Sequence, residues 1–425
     1  MKVAVVGSGI AGLSCAYSLS KQTGIAVTLL EADSRLGGHS HTFDATIEGV
    51  TCPVDTGFLV YNERTYPGLL KLFKELDVAS AASDMSFSVS LAGEIEWAGN
   101  NLATVFAQPQ NLLRPRFLGM LSDIMRFNRE ARRIAGGPSP TQTLGEFLDG
   151  GAYGSAFRDW YLLPMAGAIW SCPTATMLDY PLSTFARFCA NHGLLSINDR
   201  PRWLTVRGGS REYVTSIAAR LPRVRTRAAV ESVRPAAAGV LMRVNGQTER
   251  YDQVVLACHS DQALRLLDAP TKAQSTVLAA VRYQPNSAWL HTDRAQLPRR
   301  ERVWAAWNYL GPAPGSTAPD ARRVAVSYLL NRLQPLPFTT PLMVTLNPMV
   351  LPAEAQTLAA FEYSHPIFDA AAIRAQERLP SLQGEGGIWF AGAWTGFGFH
   401  EDGLRSGQAV ARDLIDLAAT RRAAA

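Results

Sequence analysis

The sequence of 425 residues lacks an apolar run of the length that a membrane-spanning helix needs, about 18 residues. Its richest apolar stretch, residues 161–170, is short and is interrupted by Pro164. The chain also lacks a CxxC pair, and its five cysteines are widely spaced. This usage argues against a disulfide framework and a zinc ribbon. We therefore expect a cytoplasmic protein that does not cross a bilayer.

The sequence also has only a small net charge. The chain has 41 basic and 36 acidic residues, for a formal net charge of +5, and such a mild excess does not call for a nucleic-acid partner. Its seven histidines form no HxxxH or HExxH motif, so no metal site is expected. With 47% apolar and 18% charged residues, the composition is typical of a globular protein, and the length suggests two or three domains.

The N-terminus reads as a strand, a glycine loop and a helix. Residues 3–6 are continuously apolar, as in a strand buried on both faces of a parallel sheet, and a GxGxxG motif follows at residues 7–12. A second apolar run, residues 26–30, ends at Glu31, where an acid commonly binds the ribose of a dinucleotide. The motif alone leaves NAD and FAD open. The predicted contacts are Gly7, Ser8, Gly9, Ile10, Ala11, Gly12, Glu31 and Ala32.

Later segments predict that the same sheet is completed by distant parts of the chain. A helix at 212–221, a valine-rich segment at 230–233 and a buried strand at 254–257 read as its middle. A strand at 388–391 and a helix at 404–418 would close it. We therefore predict an α/β protein (α+β overall) whose Rossmann-like cofactor domain is discontinuous, formed by residues 1–60, 200–270 and 380–425.

The intervening residues show a different pattern. Residues 85–91 alternate with period two, and Gly93 separates them from EIEW, which predicts an antiparallel hairpin. Residues 324–330 and 342–346 also read as strands, and residues 104–195 as helices. We assign 61–199 and 271–379 to a substrate domain made of a mainly antiparallel sheet and helices.

Further motifs distinguish between the two cofactors. Arg35 precedes the pair Gly37-Gly38, VDTG occupies 54–57, RGG occupies 207–209, and a glycine-rich turn follows the strand at 388–391. These motifs resemble the FAD-binding amine oxidase superfamily, which includes monoamine oxidases, protoporphyrinogen oxidase and carotenoid desaturases. The resemblance implies an FAD-binding domain of the glutathione reductase/amine oxidase type. The FAD contacts that it implies are Arg35, Gly37, Gly38, His39, Ser40, Thr56, Gly57, Phe58, Val230, Gly392, Ala393, Gly403 and Leu404.

Two positions depart from the superfamily pattern. His39 stands where an arginine usually follows the glycine pair, and Ala393 stands where an acid is usual. A neutral imidazole would weaken the positive field on the pyrophosphate, and an alanine cannot bind a ribityl hydroxyl. These two contacts are therefore expected to differ from those of the relatives.

Longer matches point to one bacterial subfamily. The segments GGHSHTF (37–43), VDTGFLVYNERTYP (54–67), GGSREYV (208–214), ACHSDQAL (257–264) and GFGFHEDGLRSG (396–407) are similar to flavoproteins related to the N-terminal part of plant cyclopropane fatty acid synthases. One class of these proteins serves furan fatty acid biosynthesis. The resemblance implies dehydrogenation (desaturation) of a methylated or unsaturated fatty acyl chain on a phospholipid. It also implies a lipid methyltransferase as partner and a place at the inner face of the membrane.

Such a reaction needs a base in addition to the flavin. His400 and Glu401, in the turn that faces the flavin, are the two alternatives for that base, and Tyr61 is interpreted as a pocket wall or proton donor. No second GxGxxG follows a strand, so we expect the substrate to reduce the flavin. Two other functions stay open: an amine oxidase, and a non-catalytic flavoprotein that assists a methyltransferase.

Residues 111–134 predict a basic amphipathic helix, with six arginines against Asp123 and Glu130. It is interpreted either as a membrane-surface anchor or, with somewhat more weight, as a core-facing helix with a solvated arginine face.

Overall fold

The computed structural model describes residues 1–137, 142–196, 201–314 and 324–423. In chain order, the strands are β1 (Lys2–Val6), β2 (Ala26–Leu30), β3 (Thr42–Ile47), β4 (Val50–Asp55), β5 (Tyr61–Asn62), β6 (Ser80–Ala82), β7 (Phe87–Leu91), β8 (Ile95–Ala98), β9 (Trp203–Val206), β10 (Val224–Arg225), β11 (Val230–Ala236), β12 (Gly239–Val244), β13 (Gln247–Tyr251), β14 (Gln253–Leu256), β15 (Arg282–His291), β16 (Trp307–Gly311), β17 (Ala325–Leu329), β18 (Met343–Leu346), β19 (Thr357–Ile367) and β20 (Ile388–Phe390).

The α-helices are α1 (Ile10–Ser20), α2 (Pro67–Leu76), α3 (Leu102–Val105), α4 (Pro115–Ala135), α5 (Leu144–Gly150), α6 (Ser155–Phe157), α7 (Leu163–Trp170), α8 (Thr174–Leu178), α9 (Leu182–Asn191), α10 (Arg211–Ala218), α11 (Ser260–Leu266), α12 (Lys272–Ala279), α13 (Leu330–Leu333), α14 (Ala370–Arg378) and α15 (His400–Ala423). A π-helical turn, Arg158–Leu162, joins α6 to α7. Short 3₁₀ turns occur at Pro109–Leu113, Arg294–Gln296, Glu301–Val303, Glu354–Gln356, Leu379–Leu382, Glu385–Gly387 and Ala393–Thr395. Within the described ranges, no helix has both the length and the apolar character needed to cross a membrane.

A five-stranded parallel sheet holds the N-terminal glycine loop. Its order is β10-β2-β1-β14-β20, so the strand at 254–257 lies beside β1 as the sequence predicts. Side chains of β1 alternate between two cores: Val3 and Val5 pack with α1 and α15, whereas Ala4 and Val6 pack with β11–β13 and α12. Burial on both faces explains why its strands are continuously apolar.

One sequence-based expectation about this sheet was wrong. Residues 230–233 do not form its middle but begin β11 in a separate antiparallel sheet, of order β11-β12-β13. The short β10 pairs with β2 instead. The physical reason is that β11 turns back on β12 through a tight hairpin at Gly239, and its residues are half-exposed rather than buried on both faces.

A seven-stranded sheet forms the second large layer, in the order β19-β15-β18-β17-β16-β7-β8. The predicted hairpin appears as β7 and β8, and the two later strands as β17 and β18. All its pairings are antiparallel except that of β16 with β7. Helices between α3 and α9 share one hydrophobic core with this sheet, in agreement with the helical prediction for 104–195.

Asp55 connects the two large layers. Its carboxylate, which is almost fully buried, accepts hydrogen bonds from the Ser210 backbone N–H (2.9 Å), the Ser210 and Thr42 hydroxyls (2.7 Å each) and the Gln334 amide (3.4 Å). Buried carboxylates need such donors. These bonds fix the chain just before residues 56–58, which therefore enter the space between the parallel and the seven-stranded sheets.

A candidate cofactor and substrate cavity

A cavity of about 670 Å³ lies between the two large layers. Its lining includes residues at the carboxyl ends of β1, β2, β14 and β20, which is where parallel sheets bind ligands. The other half of the lining comes from the seven-stranded sheet and from α7 and α9. A volume of this size is suited to a large cofactor together with part of a substrate.

The glycine loop is shaped by close backbone approaches. Gly7 has φ of +100°, and a Cβ there would lie 2.6 Å from the Ala257 carbonyl oxygen. A Cβ at Gly12 would lie 1.9 Å from the Gly7 carbonyl oxygen, so only glycine lets α1 begin this close to the strand. At Gly9, in contrast, a Cβ would meet no atom within 4 Å. The loop is therefore open on the side of the cavity, at the N-terminus of α1, where an anion is favoured.

Glu31 is held in place by the same loop. One carboxylate oxygen accepts hydrogen bonds from the Ser8 backbone N–H (2.9 Å) and hydroxyl (2.6 Å), and the other accepts from the Asp33 N–H (3.0 Å). Arg35 does not face the cavity: its guanidinium donates to the Gly38 carbonyl at 2.8 Å and fixes the loop that carries the glycine pair. Arg35 therefore shapes the site from behind it.

Most of the predicted cofactor residues line this one cavity: Gly7, Ser8, Gly9, Ile10, Ala11, Glu31, Ala32, Gly37, Gly38, His39, Thr56, Gly57, Phe58, Val230, Gly392 and Ala393. The others, Gly12, Arg35, Ser40, Gly403 and Leu404, lie behind the lining. Gly403 is a close approach, since a Cβ there would lie 2.8 Å from the Ile10 side chain. Segments 390 residues apart in sequence therefore lie side by side next to the glycine loop. For example, the Ser14 hydroxyl donates a hydrogen bond to the Leu404 carbonyl (3.1 Å).

His39 is the most unusual residue of the cofactor half. Its Nε2 is buried without a hydrogen-bond partner, and its ring lies 5.3 Å from that of His365 and 6.3 Å from that of His259. Burial, and then the neighbouring histidines, hold the pKa of His39 well below its ordinary value. A buried nitrogen without a partner beside a cavity is suited to a polar group of a ligand. His39 is thus a neutral group where the superfamily usually has a permanent cation.

The three residues predicted to be catalytic have different surroundings. Among them only His400 lines the cavity. Its ring stacks on Phe58 at 3.7 Å, its Nε2 is hydrogen-bonded to the Tyr213 hydroxyl at 2.8 Å, and burial lowers its pKa to about 3. The Ser40 hydroxyl is a second, longer partner of the same nitrogen, at 3.4 Å, so stacking and hydrogen bonding together fix the neutral ring.

Glu401 and Tyr61 do not belong to the lining. The Glu401 carboxylate accepts hydrogen bonds from the backbone N–H groups of Gly68 (2.8 Å) and Leu69 (2.9 Å), in the first turn of α2. The Tyr61 side chain is fully buried and hydrogen-bonded to the Ser80 hydroxyl. This geometry favours a helix-capping role for Glu401 and a packing role for Tyr61.

The far half of the cavity is aromatic and continues outward. A second cavity, of about 120 Å³, shares six lining residues with the first: Met85, Ile169, His192, Leu194, Trp203 and Trp307. It reaches the surface at Gly99 and Asn100, which are both exposed. In the described lining of the two cavities, the acidic or basic residues other than histidine are Glu31 and Arg265, and both belong to the parallel-sheet half.

His192 lies where the two cavities meet, directly after α9. Its Nδ1 lies 3.0 Å from the Phe188 carbonyl oxygen, which accepts, so Nδ1 carries the proton and the neutral ring has a free lone pair at Nε2. The ring stacks on Phe188 at 4.0 Å and lies 5.3 Å from Phe399. Burial lowers its pKa to about 4. Sequence reasoning missed this residue because no motif surrounds it; its only signal is its position at a helix end before Gly193.

Comparisons with known proteins identify a family and a fold. A family model described as flavin containing amine oxidoreductase matches residues 10–349. Cyclohexylamine oxidase from Brevibacterium oxydans IH-35A has a similar fold, with a TM-score of 0.68, 17% identity and 98% of both chains covered. Wild-type putrescine oxidase bound to putrescine gives 0.67 and 18%, over 98% of this chain and 99% of that one. A CLA-producing fatty acid isomerase from P. acnes gives 0.66 and 13%, over 96% and 98%. These likenesses show the fold.

The residues present fit FAD. The open glycine loop, the oriented Glu31 carboxylate and the partnerless nitrogen of His39 offer sites for a pyrophosphate, a ribose and a further polar group. Together with the match to a flavin-containing family, this fit confirms FAD as the cofactor.

Proposed function

Because the chain belongs to the family of flavin-containing amine oxidoreductases, we propose that it is an FAD-dependent dehydrogenase of a methylated or unsaturated fatty acyl chain carried by a phospholipid. The observation that supports this substrate best is the channel formed by the two cavities. Its outer half is lined by Met85, Ile169, Leu194, Trp203 and Trp307, and it opens to solvent at Asn100. An extended apolar chain fits such a lining because burial of its methylene groups is favourable, by roughly 0.8 kcal/mol for each.

The charges of the cavity support the same substrate class. Glu31 and Arg265, the two charged side chains named above, lie in the half that holds the cofactor. In the described part of the other half, no carboxylate lines the cavity to pair with a cationic substrate. A charged diamine would therefore lose its hydration without gaining an ion pair there.

The proposed reaction requires the cofactor and two kinds of side chain. Bound FAD would supply an acceptor, its N5 atom, for a hydride from a substrate C–H bond. The chain itself must remove the accompanying proton, and His192 is suited to this because its unprotonated Nε2 is oriented by the bond from Nδ1 to the Phe188 carbonyl. Phe188 and Phe399, whose rings stack at 4.9 Å beside it, exclude water from the reacting carbon.

The proposed reaction is balanced by these two transfers. The acyl chain loses a hydride from one carbon and a proton from a neighbouring or allylic carbon, and the electron pair left behind forms the new double bond. An acceptor such as oxygen or a quinone must then reoxidise the flavin. A lipid methyltransferase, which would supply the methylated chain, is the proposed partner.

The experiment that tests the proposal follows the flavin in the absence of oxygen. The purified holoprotein is mixed with phospholipids from cells that contain or lack an acyl-chain methyltransferase, and the absorbance near 450 nm is recorded together with acyl-chain masses. Bleaching with a loss of two hydrogens, confined to the methylated lipids, would support the proposal. Flavin that stays oxidised with both lipids contradicts it and favours the non-catalytic flavoprotein.

A second candidate function is the oxidation of an apolar amine. The aromatic rings of Trp170, Phe188 and Phe399 favour it, since aromatic faces attract ammonium groups. Adding cyclohexylamine to the same anaerobic assay separates the two. Bleaching by the amine and not by lipid would assign the protein to this candidate.

A further inference from the structure

Among the described residues, exposed large apolar side chains are concentrated in two parts of the chain, five of them within residues 102–125 and three within 349–351. Within residues 102–125, five large apolar side chains have high exposed fractions: Leu102 (76%), Leu112 (53%), Leu113 (87%), Leu118 (43%) and Met125 (55%). Single exposed apolar residues are normal at a protein surface, but a concentration of them marks an interaction site. We refer to these five residues as the apolar segment.

Residues 102–113, which carry Leu102, Leu112 and Leu113 of the apolar segment, cover the β8 edge of the seven-stranded sheet. The Thr104 hydroxyl donates a hydrogen bond to the carbonyl of Ala98, at the end of β8 (2.9 Å). The Gln108 side-chain oxygen accepts a hydrogen bond from the backbone N–H of Glu96, also on β8 (2.8 Å). The ring of Phe106 lies 5.9 Å from that of Phe117 on α4. Residues 102–113 therefore run along β8 and pack against the start of α4.

The adjacent face of α4 is positively charged. Residues 102–137 contain six arginines and two acids, so that this segment carries +4 of the net charge of +5. Both acidic side chains already have hydrogen-bond partners: Asp123 accepts a hydrogen bond from Arg126, and Glu130 accepts one from the Tyr153 hydroxyl. Arg129, Arg132 and Arg133 are exposed, and no partner for their side chains is found among the described residues.

Apolar and basic residues share one side of this helix. Residues three, four or seven positions apart lie on the same face of a helix. These intervals separate four exposed residues of α4: Leu118, Met125, Arg129 and Arg132. The opposite face, with Phe117, Met120 and Phe127, is buried in the core. The exposed face of α4 is therefore apolar in its first half and cationic in its last turns.

The mouth of the channel lies beside this surface. Gly99 and Asn100 are exposed and line the outer cavity, and Leu102 follows two residues later. A molecule that leaves a surface in contact with the apolar segment would thus meet the opening of the channel directly.

We propose that the apolar segment and the three arginines dock the protein on an anionic phospholipid bilayer. The leucines enter the boundary between headgroups and acyl chains, and the arginines contact the phosphates, as is usual for interfacial apolar and basic surfaces. The purpose of this docking rests on the proposed function, because an acyl substrate would pass from the bilayer into the adjacent mouth. Arg126 has no part in it, since it is paired with Asp123.

The test uses the holoprotein and vesicles that contain only saturated chains, either phosphatidylcholine alone or phosphatidylcholine mixed with phosphatidylglycerol. We expect flotation with the mixed vesicles and weaker flotation at high salt. The double variant Leu112→Asp/Leu113→Asp should bind the mixed vesicles at least about tenfold more weakly. Val350→Asp/Leu351→Asp is the matched control: these two side chains are similarly exposed (75% and 60%) but do not belong to the apolar segment or to α4, so binding should be unchanged.

Charge is tested separately. The triple variant Arg129→Glu/Arg132→Glu/Arg133→Glu should lose the preference for phosphatidylglycerol. Retained flavin absorbance and circular dichroism show that each variant is folded, and Leu113→Ser replaces the aspartate pair if that pair is not.

Two results would overturn the docking proposal: equal vesicle binding by the parent and the leucine variant, or a variant that changes only self-association, which would make this face an interface between copies of the chain. Because saturated vesicles contain no substrate, binding is measured independently of turnover. Vesicle binding without flavin bleaching on methylated lipids contradicts the proposed function alone. Bleaching by detergent-dispersed lipid without vesicle binding contradicts the docking alone.

Discussion

All seven histidines have a pKa lowered by burial, yet they occupy very different surroundings. His291 is fully buried and bonds to the Thr345 hydroxyl at 2.7 Å inside the seven-stranded sheet. His400 is held by Phe58 and Tyr213. His192, in contrast, has one nitrogen fixed by a backbone carbonyl and lines both cavities. Five of the seven line the main cavity, so neither a lowered pKa nor a place on its wall singles out His192; its position at the junction of the two cavities does.

The proposed role of His192 predicts a specific kinetic defect. His192→Phe keeps the stacking on Phe188 but removes the proton acceptor, so the rate of flavin reduction by the acyl substrate should fall by about 10²–10⁴-fold. FAD affinity should stay unchanged because the residue lies in the outer half. Stopped-flow reduction and flavin fluorescence titration measure the two quantities. Phe188→Leu weakens the stacking but keeps His192 and the carbonyl that orients it, so it should lower the rate far less. An unchanged reduction rate in His192→Phe would remove His192 from the mechanism.

Glu401 allows the opposite prediction. Glu401→Ala removes the acceptor for two N–H groups of α2 and should lower the free energy of unfolding by about 1–2 kcal/mol, while flavin reduction per bound FAD stays nearly the same. Urea unfolding and anaerobic reduction check this. If reduction is abolished and stability is unaltered, Glu401 is the base and the capping assignment is wrong.

At the scale of elements, the contact of α1 with α15 determines the shape of the cofactor half. A Cβ at Gly407 would lie 2.0 Å from the Ala11 carbonyl oxygen and 2.5 Å from the Ser14 hydroxyl. The two helices, from opposite ends of the chain, therefore approach to the limit that glycine permits.

This contact predicts unequal effects of the same substitution. Gly407→Ala should push α15 away from α1, destabilise the protein by about 1–3 kcal/mol and weaken FAD binding. Gly119→Ala, on α4, is the control: a Cβ there would meet nothing within 4 Å, so its helix propensity should stabilise the protein by up to about 1 kcal/mol. Thermal unfolding of both holoproteins measures the difference. Similar shifts in both variants would contradict the assigned contact.

The same scale shows what the sequence could predict. Local patterns identified the strand, loop and helix around Gly9 and the β7–β8 hairpin, because each of these is encoded by neighbouring residues. Residues 230–233 were misplaced, since a valine-rich run does not reveal whether one or both of its faces are covered. On the cofactor side of the cavity, the sequence predicted most of the lining residues, because they belong to recognisable motifs. His192 was not, because only tertiary packing brings it to the junction of the cavities.

On the scale of the whole molecule, the neutral histidines link stability to pH. In the unfolded chain, each histidine has a pKa of about 6.5. In the folded protein, the pKa is about 4 for His192, His291 and His365 and about 3 for His400. Between these values the unfolded state binds more protons, so stability is complete above about pH 6.5 and is lost as the pH falls towards 4.

This linkage predicts a steep acid sensitivity. Each fully buried histidine contributes at most about 1.4 kcal/mol per pH unit in that window. Asp55 and Asp402, whose pKa values burial raises to about 6, act in the opposite direction but are fewer. Urea unfolding of the holoprotein at pH 7, 6 and 5 should therefore give a falling free energy of unfolding. A constant or rising value contradicts the prediction.

The strands of the parallel sheet come from distant parts of the chain, so the ribosome synthesises them at different times. β1 ends at residue 6, but its neighbour β14 ends at residue 256 and β20 at residue 390. At a translation rate of roughly 5–20 residues per second, the last strand follows the first by about 20–80 seconds. During that interval the nascent chain contains the glycine loop without the segments that complete the cavity wall, so FAD is expected to bind only after β20 has been synthesised.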